Sequence, residues 1–122
     1  MADSYKVLAQ SAVSSTSSFG ETFYTCPSSS GDAFATRNIV QVLVSSIVVC
    51  NTNASSARTY AIKVVPSGEA SGDKNILFND RSLAATGTEI LSIGMGLQPG
   101  DTVFVHAQSD DICMSMFGIE MA

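Results

Sequence analysis

Apolar and polar positions along this chain alternate mostly with a period of two, the periodicity of strands, and amphipathic helical spacing is hard to find anywhere. Tyr60, Ile62 and Val64 take turns with Ala61, Lys63 and Val65, which points one apolar face inward until Pro66-Ser67-Gly68 turns the chain. The same reading predicts strands over Tyr5 to Gln10, Glu21 to Cys26, Asn38 to Cys50, Asn75 to Phe78, Thr88 to Ile93, Thr102 to Gln108 and Ile112 to Glu120. Pro27 stops the second of these, and PSSSGDAFATR after it is loop by composition. NTNASSA closes the longest run with Asn and Ser side chains that hydrogen-bond a turning backbone, and Leu97-Gln98-Pro99-Gly100-Asp101 is a turn leading directly into TVFVHAQ.

About eight strands separated by turn signals predict an all-β fold, a single antiparallel β-sandwich or jelly-roll-like barrel. No crossover helix of a dozen residues fits between strands, which disfavours parallel α/β layering. Residues 1–18 read as an N-terminal arm and residues 19–122 as the sandwich domain.

The run IVQVLVSSIVVCN, from Ile39 to Asn51, has apolar residues on both faces and as one strand would extend roughly 40 Å. Ser45 and Ser46 interrupt it where a strand bulges or passes from one sheet to the other. One face is expected to meet the domain's own core and part of the other a neighbouring subunit, which makes Val40, Val42 and Val44 candidates for an assembly interface. Lys6, Val7 and Leu8 join them. They sit in the strand-like KVLAQ of the arm, which is expected to pair with a neighbouring molecule or to lie along this domain's own sheet edge.

Composition narrows the function. At 122 residues the chain is one domain's worth; 45% of it is hydrophobic and only 14% charged, so Ser, Thr, Asn and Gly must cover the surface. A formal net charge of −5, with 6 scattered Lys and Arg, argues against direct nucleic-acid binding, which needs clustered cations to displace counterions. The N-terminal stretch has neither the basic start nor the apolar centre of a signal peptide, and no stretch approaches the ~20 apolar residues of a membrane-spanning helix, so no membrane partner is expected.

Candidate chemistry is sparse. Cys26, Cys50 and Cys113 are an odd count without C-x-x-C spacing, and they read as three unpaired, reduced small hydrophobes; nothing in the sequence brings two of their β-carbons together. With His106 the only histidine, no zinc site and no cofactor are specified. His106 falls on the strand face opposite Val103 and Val105, and no G-x-S-x-G elbow accompanies it, so no enzyme is predicted. Gly94-Met95-Gly96 fits neither a dinucleotide fingerprint nor a P-loop and reads as a turn. Asp80, Asp101, Asp110 and Asp111 lack calcium-loop spacing and read as solvated loop carboxylates, while Met95, Met114, Met116 and Met121 read as core filling.

FYTCP (Phe23 to Pro27), SSIVVCN (Ser45 to Asn51), VVPSGE (Val64 to Glu69), GLQPGDTVFVHAQSD (Gly96 to Asp110) and FGIE (Phe117 to Glu120), in this order after KVLAQ, resemble a family of small virion structural proteins of tailed bacteriophages. The likeness is to proteins of phages that infect cyanobacteria and other marine bacteria. Cys26 stands where that family usually has Val, and SSSGDAFATRNIVQV is longer than its usual connection. The resemblance implies a non-enzymatic structural role on the particle exterior, as a capsid decoration or cement protein or as a tail, baseplate or fibre component. The implied partners are other virion proteins and copies of the chain itself in a homo-oligomer, made in the host bacterial cytoplasm and ending in the virion. The alternative class is a carbohydrate- or receptor-binding β-sandwich module, against which stand the absence of Trp and the presence of only 3 Tyr.

Overall fold

The structure, a computed structural model, describes residues 4–13, 21–27 and 41–121. Eight strands run in chain order: β1 (Ser4–Ala12), β2 (Glu21–Thr25), β3 (Gln41–Asn51), β4 (Arg58–Val65), β5 (Ile76–Leu83), β6 (Thr88–Leu97), β7 (Thr102–Ala107) and β8 (Ile112–Met121). One 3-10 turn, Asp73–Asn75, precedes β5. The strands form two four-stranded antiparallel sheets, β1-β8-β3-β6 and β2-β7-β4-β5. In this order β4 pairs with β5, β3 with β6, β2 with β7 and β1 with β8. That is one long antiparallel hairpin, with its tip between β4 and β5, folded over into two layers, the strand order of a jelly roll. The described strands leave the layers open as a sandwich rather than closing a barrel.

The Ser45-Ser46 step explains how so apolar a strand is accommodated. Val44 pairs with Gly118 and Ser46 with Phe117, so Ser45 is an extra residue against β8, a β-bulge. The bulge shifts the alternation by one position. Val42 and Val44 before it and Ile47 and Val49 after it therefore all point inward, and all four are completely buried. Without it, the second half of the strand would turn its apolar side chains to the other face. The strand bulges but does not change sheets. Its neighbour is held close by Gly118, where a β-carbon would lie 2.2 Å from the Leu43 carbonyl oxygen, so only glycine fits.

Two expectations are corrected. Gly94-Met95-Gly96 is not a turn but the second half of β6, paired through Met95 with Val44 and through Gly96 with Leu43; ladder hydrogen bonds and the inward Met95 outweigh the weak strand propensity of glycine. β5 continues past Phe78 to Leu83 through polar, exposed residues, because pairing with β4 requires only backbone. The Gln98-Asp101 turn forms as expected, with Gly100 at φ 91 and the Gln98 N–H donating to Asp101 Oδ2 at 2.9 Å.

The arm's described part, residues 4–13, lies along this domain's own sheet edge. β1 pairs with β8 from Ser4 opposite Glu120 to Ala12 opposite Cys113, and Val13 after it is fully buried. Residues 14–18 of the arm, Val40, and the predicted loop from Ser28 onward lie outside the described residues.

Candidate interaction surface

The outer face of the first sheet is built by the residues that the inward set leaves over. Strand alternation places Tyr5, Val7 and Gln10 of β1 there, beside Phe117 and Ile119 of β8. β3 adds Leu43 and Val48, and β6 adds Thr88, Ile90 and Ser92. No described residue on this face carries a charge. Ile90 is 66% exposed, Tyr5 63%, Val7 46% and Leu43 37%, so the large apolar side chains that reach solvent gather largely on one side of the molecule. The second sheet differs, with Lys63 and His106 on its outer face around Phe104, whose ring centroid is 5.6 Å from Lys63 Nζ.

Hydrogen bonds fix the face's geometry. Tyr5 Oη lies 3.0 Å from Ser45 Oγ, and Ser45 donates to the Phe117 carbonyl at 3.2 Å, which ties β1 across β8 to the bulge. At one edge of the sheet stands β6, ten residues long, with neither proline nor lysine and with Glu89 as its one charged residue. Edge strands usually carry such residues to block pairing with another chain.

The six residues singled out from the sequence divide. Val7 is on the exposed face, Leu8 is partly buried against the core, and Lys6 pairs with the buried Glu120 at 2.6 Å. Val42 and Val44 are buried in this chain's own core and present no surface; the exposed residue between them is Leu43, which sequence reasoning missed. The bulge and the pairing partners decide which parity faces outward, and although Ser45 and Ser46 mark a place for the bulge, the partners are not written in β3 itself. Val40 is outside the described residues.

Asp111 accepts from Asn53 at 3.0 Å, Arg58 at 3.1 Å and Ser109 at 3.2 Å, and these donors, Asn53 foremost, hold its carboxyl below the usual range. Cys26 is buried with its thiol toward the Leu97 carbonyl, and burial pushes it up to about 11, which leaves it an unreactive thiol. Among the described residues no group of three or more His, Cys, Asp or Glu is placed to hold a metal ion, and no helix is long and apolar enough to cross a membrane.

Cys50 and Cys113 are free thiols, yet they stand directly opposite each other in β3 and β8. This corrects the expectation that nothing brings two cysteines together: strand register does so, and register is not legible in cysteine spacing.

No protein-family model, curated protein or solved structure matches the chain.

Proposed function

We propose that the chain is a non-enzymatic structural protein of a tailed-phage virion, assembling on the particle exterior through the outer face of its first sheet. The observation that carries this reading is that face: four strands wide, uncharged among its described residues, and apolar at Tyr5, Val7, Leu43 and Ile90. Copies of a chain with net charge −5 repel one another over most of their surface, and an uncharged patch is where two of them meet without that cost. The occupant of the face is accordingly a second copy, related by a two-fold axis, in an oligomer that docks on the particle. Jelly-roll strand order supports the reading by analogy only, because the same architecture serves viral coats and lectins alike. The sequence resemblance to small virion proteins of marine tailed phages points the same way. Decoration or cement of the capsid, and a place in the tail, baseplate or fibre, are its two forms.

Sedimentation at micromolar concentration tests the surface. The wild-type protein is expected to self-associate, and a Val7→Lys, Ile90→Lys double variant to sediment as a monomer with its thermal midpoint nearly unchanged. Electron microscopy with quantitative mass spectrometry of purified particles tests the location: hundreds of copies on the shell mean decoration, a few to dozens on the tail a tail component. A protein that is monomeric and absent from particles overturns the proposal.

A further inference from the structure

Cys50 of β3 faces Cys113 of β8 across one rung of the antiparallel ladder. The Thr52 N–H donates to the Asp111 carbonyl at 2.9 Å, two residues further along the same ladder, which marks that rung as hydrogen-bonded. Rungs alternate, so the Cys50 and Cys113 rung is hydrogen-bonded as well. The other side of β8 agrees: the Val13 N–H donates to the Ile112 carbonyl at 2.7 Å, so the backbone groups of Ile112 face β1 and those of Cys113 face β3. Opposed α-carbons on such a rung are about 5.5 Å apart, within the span of a disulfide. Opposed β-carbons lie about 4.5–5.5 Å apart, somewhat wider than the ~3.8 Å a disulfide prefers, so closure draws the two strands together. Both side chains are on the outer face and partly exposed, unlike Cys26.

We propose that Cys50 and Cys113 are a reversible thiol–disulfide pair, a redox modification site that locks β3 to β8. The oxidant is a small-molecule disulfide of the glutathione class. The Cys50 thiolate attacks one of its sulfurs, forming a mixed disulfide and expelling one glutathione thiolate. The Cys113 thiolate then attacks the Cys50 sulfur and expels the second. Two protons leave the protein and protonate the two glutathione thiolates, so one disulfide is reduced as one is formed. A reducing cytosol keeps the pair open, and an oxidising medium closes it. The bridge joins residues far apart in the chain, with β4 to β7 between them, and so constrains the unfolded chain strongly, while the strand approach it demands keeps it reducible. Both thiols lie on the outer sheet face proposed above for assembly, but the bridge forms within one chain and needs only the register of β3 against β8.

The test is to equilibrate the full-length protein in glutathione buffers of rising oxidised fraction, trap remaining thiols by alkylation and map the peptides by mass spectrometry. A Cys50–Cys113 linked peptide is expected to accumulate within single chains, to revert in reduced glutathione, and to leave Cys26 as a thiol. The closed form should melt about 5 °C or more above the open one, a shift that Cys113→Ser abolishes while leaving a single glutathione adduct on Cys50. Stable glutathione adducts on both cysteines without closure, a bridge between chains, a bridge through Cys26, or no reaction at either thiol overturns the proposal, and the wild-type peptide map alone decides among these.

Discussion

Tyr24 of the second sheet donates its hydroxyl proton across the sandwich to Glu120 Oε2 of the first, at 3.2 Å, while Lys6 holds the other carboxylate oxygen at 2.6 Å. The same motif recurs between other strands. Tyr60 of β4 donates to Glu89 Oε1 of β6, and Arg81 of β5 grips that carboxylate at both oxygens, 2.8 and 2.6 Å. Each bridge joins the two sheets by a tyrosine, a carboxylate and a cation, so the layers are pinned at two places by directional bonds as well as by the apolar core. Burial first and the neighbouring glutamate second push both phenols up, which keeps them as donors.

The first prediction concerns the Tyr24–Glu120–Lys6 bridge. Tyr24→Phe and Lys6→Met each remove one bond to a buried carboxylate, and each should lower unfolding free energy by roughly 1–3 kcal/mol. Because both act on Glu120, the double variant should depart from additivity by at least ~0.5 kcal/mol in urea titrations. Strict additivity would mean that the three groups do not form one network.

Asn51 carries the second. It is fully buried at the end of β3, and its Nδ2 lies 3.0, 3.1 and 3.2 Å from the carbonyls of Ser56, Leu83 and Ala84, while its Oδ1 accepts from the Asn53 N–H at 2.9 Å. Asn51→Ala removes this donor from all three, leaving the Ala84 carbonyl the Gly87 N–H at 2.9 Å, and should cost about 3 kcal/mol. Asn51→Asp should cost more, since a carboxylate there faces three carbonyl oxygens. An equilibrium urea midpoint unchanged in the alanine variant would contradict this.

These two sites also show what was legible. The Asn-rich NTNASSA was readable as a turn held by side-chain hydrogen bonds, and Asn51 and Asn53 make them. All eight strands were readable at least in part, β5 only to Phe78 and β6 only to Ile93, because alternating apolar residues mark them and turn residues separate them. What pairs with what was not: the Tyr24–Glu120 bridge, the opposition of Cys50 and Cys113, and the strand conformation of Gly94-Met95-Gly96 all depend on register between segments distant in sequence. The exposed face fell between the two cases. The excess apolarity of β3 was visible, but the bulge at Ser45 put Val42 and Val44 inside and Leu43 outside.

The third prediction is a stability window in pH. Arg81 foremost, then Tyr60, holds the Glu89 carboxyl below its ordinary value, so between the folded and unfolded values the unfolded chain binds more protons and stability falls as pH falls below about 4.3. Asp111 acts in the same direction through Asn53 and Arg58. The raised phenols of Tyr24 and Tyr60 act at the other end, since the unfolded chain loses those protons first and stability falls as pH rises past about 10. Thermal midpoints across pH should show both limbs, with Glu89→Gln flattening the acid limb and Tyr60→Phe the alkaline one. Unaltered limbs in these variants would separate the bridges from the pH response.

The fourth prediction is that the N-terminal strand is a structural part of the sandwich that can be supplied from outside. β1 satisfies one whole edge of β8, brings Lys6 to the buried Glu120 and ends at the fully buried Val13. Deleting residues 1–13 therefore exposes a row of backbone donors and acceptors on β8, removes the Lys6 ion pair from Glu120 and opens the core at Val13, losses that together should lower stability by more than ~3 kcal/mol. Strand pairing is mostly a backbone interaction, so a synthetic peptide of residues 1–13 should bind the truncated protein and restore its thermal midpoint in a concentration-dependent way. A peptide carrying Val13→Asp should rescue poorly, because it must bury a charge. If truncation leaves the midpoint unchanged, β1 contributes little to this domain, and the ladder along β8 is open for a strand from a neighbouring molecule.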